Sequence, residues 1–237
     1  MLKLLSLSGK LDYTMTRKKI VFIIVEDPSD DEALALVFEK FFANDNVFVH
    51  ITHGDITTQT EATKILTKIG NIVSKYAKSN HLTKKHFRQI IHIVDTDGAY
   101  IPDCAIIENT EVIKPLYSET SIHTANVVRI QTRNERKRKC LDVIASTKTV
   151  WSVPYQAYYM SSCLEHVLYN EINLSDEEKE KKSIEFARKY NHNLMGFIEF
   201  ISTSDFSVGS DYLSSWSFIK IGLHSLERHT NLGICFT

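Results

Sequence analysis

The sequence lacks paired cysteines. Its four, Cys104, Cys140, Cys163 and Cys235, lie far apart and form no Cys-x-x-Cys, which argues against a zinc ribbon or a dense disulfide framework and fits reduced thiols in a cytosol. It also lacks net charge. With 28 Lys plus Arg against 29 Asp plus Glu the formal balance is −1, so no global basic field draws the chain to nucleic acid or an anionic membrane. Any such partner needs a local patch. No apolar run reaches the ~20 residues that span a bilayer. The opening "MLKLLSLSGK" falls short of the ~7–15-residue apolar core of a signal peptide. Residues 1–16 read as a loose leader, with Met15 as an alternative start. No G-x-x-x-x-G-K-[ST] phosphate loop and no internal repeat occur. A cytoplasmic protein with no membrane partner is expected.

What the sequence has is buried strands. With 43% hydrophobic and 24% charged residues, 237 residues suit one large α/β domain or a core domain with a helical appendage. Ile20–Val25 is apolar at every position, as in a strand covered on both faces. After a turn, Leu34, Val37, Phe38 and Phe41 fall at helical spacing, and Ser29 with Glu32 has the form of a capping box. Val47–Thr52 reads as a second strand. Ile65, Leu66, Ile69, Ile72, Val73 and Tyr76 mark an amphipathic helix, and Ile90–Val94 a third strand. Val127–Ile130 reads as a fourth strand, Arg133–Lys139 as the opening of a helix, and Val150–Met160 as a further strand. His92, inside an apolar strand, reads as a core histidine. From Ser161 onward the pattern is mainly helical, with "SDEEKEKKSIEFARKY" as a solvated helix face. Alternating strands and helices imply a mostly parallel central sheet flanked by helices, with ligands at the carboxyl ends of its strands.

Acidic residues stand at two of those ends. Glu26 follows the first buried strand, Asp30 lies in the first turn of the next helix, and Asp95 and Asp97 follow the third strand. Taken singly, each has a structural explanation: carboxylates favour a helix N-terminus by ~0.3–1 kcal/mol, and "DTDG" is a common acidic turn with Gly98 at positive φ. Jointly they point to a hard divalent cation, Mg²⁺ or Mn²⁺, since capping does not explain Glu26. The i, i+2 spacing of Asp95 and Asp97 directs both side chains the same way in extended chain.

These residues resemble the Toprim domain of topoisomerases, primases, OLD-type nucleases and RloB-like phage-defence proteins. "IVEDPSDDEAL" looks like its V-E-G-x-x-D/E motif, with Asp27 where many members have glycine, and "HIVDTDGAY" looks like its D-x-D motif. "YYMSSCLEHVLYNE" is similar to the S-N-P-x-F-E-x-W-L-L-x-H segment of the defence members, with Ser162 at the usual proline. The resemblance implies a Toprim-like Rossmannoid catalytic domain over 17–170 and a helical extension, 171–237, packed on it. It assigns Glu26 as general base or metal ligand and Asp95 and Asp97 as ligands. Asp30 and Glu165 would complete the shell of one or two Mg²⁺ or Mn²⁺ ions. The activity implied is hydrolysis of phosphodiester bonds in nucleic acid, tRNA or DNA, with two ions ~3.5–4 Å apart serving attacking water and leaving oxygen. Without a phosphate loop, the chain resembles the toxic effector of a PARIS-type abortive-infection system whose sensor is a separate ABC-type ATPase. A homodimer is compatible with this reading.

For substrate contact, "RIQTRNERKRKC" offers Arg129, Arg133, Arg136, Lys137, Arg138 and Lys139 as a phosphate track, against the alternative of a charged solvent-facing helix. Asp211–Leu226, with Tyr212, Leu213, Trp216, Ile219 and Leu223 at near-helical spacing, reads as a docking helix or a plain core helix. Two rival classes stand beside the nuclease. "VDTDGAY" also resembles the D-x-D-G-T motif of haloacid-dehalogenase phosphatases, with Ala99 replacing the threonine, and the acids of a non-catalytic α/β module would serve only as caps.

Overall fold

The computed structural model describes residues 18–43, 45, 47–209 and 211–237. The leader read over 1–16 lies outside them. Strand β1 (Lys19–Val25) leads into helix α1 (Pro28–Phe41), β2 (Val47–His53), α2 (Ile65–Ser79) and β3 (Phe87–Asp95). A small insertion follows, with β4 (Ile106–Glu108), β5 (Leu116–Tyr117) and β6 (Ile122–Thr124), and then the long helix α3 (Val127–Ser146). Strands β7 (Thr149–Val150) and β8 (Val153–Met160) complete the main sheet. Helices α4 (Leu164–Tyr169), α5 (Asp176–Tyr190), α6 (Leu194–Thr203) and α7 (Tyr212–Phe218) follow.

The main sheet has the order β2-β1-β3-β8-β7, with β2, β1, β3 and β8 parallel and β7 antiparallel at one edge. The unbroken apolar run of β1 has a direct cause in the two-residue pleat. Ile20, Phe22 and Ile24 face a core shared with α2 and α3, while Val21, Ile23 and Val25 face a second core shared with α1, α5 and α6. β3 divides in the same way, Ile90 and Val94 on one side, Ile91 and Ile93 on the other. Each such side chain taken wholly out of water contributes ~1.5–3 kcal/mol. The α/β layering is therefore that of a mixed fold with a mostly parallel sheet covered on both faces.

Three local readings are corrected. Val127–Ile130 is not a strand but the first turn of α3, because Asn126 caps it by accepting the Arg129 N–H at 2.9 Å and a buried stripe of Ile130, Asn134, Lys137, Leu141 and Ile144 continues at helical spacing. Helix α1 starts at Pro28, earlier than Ser29 and Glu32 would set it, and Asp30 reaches back to the Asp27 N–H at 2.9 Å. The run Val150–Met160 is interrupted at Trp151 and Ser152, both at positive φ, which turn β7 into β8.

The C-terminal helices pack on the sheet. Phe186, Tyr190, Phe197 and Phe236 join Phe38 and Phe42 in the second core. Trp216 is buried edge-on against Tyr159, so this side of α7 is core, whereas Leu213 on the same helix is exposed. No helix among the described residues is long and apolar enough to cross a membrane.

Candidate functional site

Parallel strands end on one edge of a sheet, and here that edge collects the acids. β1 delivers Glu26, its neighbour β3 delivers Asp95 and Asp97, and the next strand, β8, runs through Ser161–Cys163 into Glu165 at the start of α4. Glu26, Asp95, Asp97 and Glu165, with Asp27 and Asp55, line one cleft of about 380 Å³. Asp30, 3% exposed, lies close enough behind it to raise the pKa of Asp95.

The turn carrying Asp97 is held by long-range bonds. Thr96 N–H donates to the Met160 carbonyl at 2.8 Å, Asp97 N–H to Ser162 at 2.9 Å, and Gly98 N–H to Ser225 at 3.1 Å. The Thr96 hydroxyl donates to the Ser225 carbonyl at 2.8 Å and accepts the Ser162 N–H at 3.0 Å. Asp97 and Gly98 both have positive φ, and a Cβ on Gly98 would stand 2.6 Å from the Leu226 side chain. Glycine is required there by conformation and by space. Sequence reasoning missed Ser225 and Leu226, because nothing local connects them to a strand end far upstream.

It also missed the site's cations. Lys137, read as part of an exposed phosphate track, is wholly buried: its Nζ lies 3.4 Å from Glu26 Oε2 and hydrogen-bonds Asp97 Oδ2. That position corrects its assignment to the track. Lys179, on the helix read as a solvated face, stands 3.0 Å from Asp27 Oδ2 and 2.8 Å from Glu165 Oε1, though misaligned for a hydrogen bond with the latter, so that this buried oxygen is charge-paired but not hydrogen-bonded. Thr57 donates its hydroxyl to Glu26 Oε1 at 2.9 Å. The helical stripe through Ile130, Asn134 and Lys137 was the available signal for Lys137. None marks Thr57 or Lys179.

The electrostatics divide the acids. Burial pushes the Glu26 carboxyl up to about 7, opposed by Lys137 and reinforced by Asp97 and Asp55. Asp30 and Asp95 are raised well above the ordinary range, first by burial and then by neighbouring carboxylates; for Asp95 these are Glu26, Asp30, Asp97 and Glu165. Burial would also raise Asp97, but Lys137 and Arg133 beside it hold its carboxyl below the usual value. Burial and Lys137 together lower His92 to about 3, so it is a neutral core side chain, bonded through Nδ1 to the Tyr155 hydroxyl at 2.7 Å. Burial raises the Cys163 thiol well up, with Glu165 and Asp95 adding to it, which removes it as a nucleophile at neutral pH.

Glu26, Asp27, Asp30, Asp55, Asp95, Asp97 and Glu165 against Lys114, Lys137 and Lys179 leave a formal excess of four negative charges in and behind the cleft. Oxygen-only donors with that excess fit a hard divalent cation. Among the described residues no three His, Cys, Asp or Glu side chains are already arranged around a common ion position. One lysine pairs with Glu26 and Asp97, the other with Asp27 and Glu165.

The remaining basic residues separate. Arg133 donates to the Asp97 carbonyl at 2.7 Å and to the Tyr117 hydroxyl. Lys139 is exposed and paired with Glu135 at 2.7 Å. Arg129 and Arg136 face a second recess with Arg133, which Arg138 does not line. No protein-family model, no curated protein and no solved structure matches this chain.

Proposed function

We propose that this cleft hydrolyses phosphodiester bonds of nucleic acid, tRNA or DNA, with one or two Mg²⁺ or Mn²⁺ ions held by Glu26, Asp95 and Asp97 and supported by Asp30 and Glu165. The observation that carries the reading is the delivery of acids by three adjacent parallel strands to one cleft, where half-buried Asp95 stands close enough to four other carboxylates for each to raise its pKa. When bound, a divalent ion would activate water and stabilise the charge on the leaving oxygen. Glu26, with one oxygen accepting the Thr57 hydroxyl, would ligate an ion or take the water's proton. Lys137 holds Asp97 ionised from below, and Lys179 presents an ammonium to the cleft wall.

The phosphatase reading needs only Asp95 and Asp97 and leaves the burial of Glu26 and Glu165 beside them without a purpose. The bare capping reading fits Asp30 but not Glu26. Following the resemblance, the chain is proposed as the toxic effector of an anti-phage abortive-infection system, controlled by a separate ABC-type ATPase. The test is cleavage of RNA and DNA by the purified chain, alone and with its partner. Activity should require Mg²⁺ or Mn²⁺, vanish with chelator, and fall at least ~100-fold in Glu26→Ala and Asp95→Ala, as for loss of one electrostatic contact to a transition state. Cleavage that survives chelation would overturn the mechanism.

A further inference from the structure

The basic run on α3 is too close to the cleft to be a generic solvated face, and helix geometry sorts it. Arg129, Arg133 and Arg136 fall at i, i+4 and i+7, on one stripe, whereas Lys137 points into the carboxylates and Lys139 to solvent. Together with Lys114 that stripe lines a recess of about 590 Å³. Among the described residues no acidic side chain lines it, in contrast to the neighbouring cleft. Two further observations favour an anion there. The N-terminus of the 20-residue α3, at Asn126, opens on the recess and adds its positive end. Lys114, Pro115 and Tyr117 line both spaces, so one thin wall separates the basic recess from the acidic cleft.

We propose that this recess is a phosphate-binding chamber that seats a phosphodiester of a nucleic-acid strand adjacent to the one being cut. The inference rests on the nuclease reading of the cleft. A strand crossing the cleft brings its neighbouring phosphate within one backbone repeat of the scissile one, and the shared wall makes the recess the neighbouring space. Arginine suits the task because its planar fork takes two phosphate oxygens at once. Arg133 couples the spaces directly, since it lines the chamber while its guanidinium donates to Tyr117, Asn134 and the backbone carbonyl of Asp97. The apolar rim, Pro115 and the fully exposed Ile113, offers a surface for a sugar or base edge.

The test uses the full chain and fluorescein-labelled RNA and DNA oligonucleotides, with Ca²⁺ replacing Mg²⁺, and reads binding by anisotropy across a salt series. Arg129→Ala and Arg136→Ala should each weaken binding about tenfold and flatten the log–log salt slope by ~0.7–0.9, the signature of one lost phosphate contact. Lys139→Ala removes the same charge from another face of the same helix and should weaken binding less than about twofold by the same reasoning. Arg129 is exposed, so its variant keeps the fold even if Arg136→Ala does not. A methylphosphonate scan adds position: one neutralised linkage should weaken binding to the wild type and have no further effect on Arg129→Ala. Equal losses from Lys139→Ala and the arginine variants, or arginine variants that bind as wild type, would overturn the chamber while leaving the nuclease reading intact. Competition by inorganic phosphate with no effect of the arginine variants on oligonucleotide binding would make it a site for free phosphate compounds and also overturn the proposal. A wild-type chain that binds no nucleic acid would sink both.

Discussion

Two charged helices each send one lysine to the acidic cleft, and the two lysines differ in burial. Lys137, from α3, has no exposed side-chain surface and contacts Glu26 and Asp97, themselves 8% and 27% exposed. Lys179, from α5, is 24% exposed and contacts Asp27 and Glu165, 47% and 3% exposed. The first is a structural counter-charge fixed in the floor; the second lines the cleft, where water reaches it. Burial decides what each ion pair does. In the interior, removing one partner strands the others in low dielectric, whereas near water solvent replaces much of what is lost.

The sharpest break of this comparison is Lys137→Met. It leaves buried Glu26 without its counter-charge and half-buried Asp97 with Arg133 alone, and should cost ~3–5 kcal/mol, read as a fall in the urea midpoint with unchanged slope. A variant as stable as the wild type would show that Lys137 is not the counter-charge.

The next effect comes from pH. Folding raises the Glu26 pKa from 4.5 to about 7, so the folded state holds a proton that the unfolded state releases. This contribution to stability is full below 4.5 and is lost as pH rises to about 7; Asp30 and Asp95, raised in the same direction, add to it. Asp97, shifted down, acts oppositely, and its contribution is lost as pH falls below its unfolded value of 3.8. The metal-free chain should therefore be more stable at pH 5 than at pH 8, by on the order of 2–3 kcal/mol from Glu26. Glu26→Gln should flatten the urea-midpoint curve over that window. An unchanged curve would mean that Glu26 does not hold the proton.

The smallest effect should be that of Lys179→Met, on the order of 1–2 kcal/mol in the same midpoint assay, because Lys179 and Asp27 are open to water and only Glu165 among its partners is buried. A loss equal to that of Lys137→Met would erase the distinction between floor and wall.

Much of the fold was legible because its signals are local. The run Ile20–Val25 could be read as a strand covered on both faces since each residue carries its own burial in its chemistry, and the two cores divide it by pleat. Glu26, Asp95 and Asp97 were legible as strand ends for the same reason. Val127–Ile130 was misread because β-branched residues in a short window fit strand and helix alike, and only the Asn126 cap and the stripe to Ile144 decide.

The sequence by itself determined which segments are buried, and hence that acids stand where parallel strands end, since apolar periodicity and turn chemistry act over a few residues. The tertiary structure alone decided which cations meet those acids. Lys137 and Glu26 are separated by 111 residues, Lys179 and Asp27 by 152, and Thr96 and Ser225 by 129. A lysine in a charged helix looks the same whether it ends in water or among carboxylates. The difference arises only when two cores pack on opposite faces of one sheet and bring α3 and α5 to its carboxyl edge, where burial turns an ordinary ammonium into a fixed counter-charge.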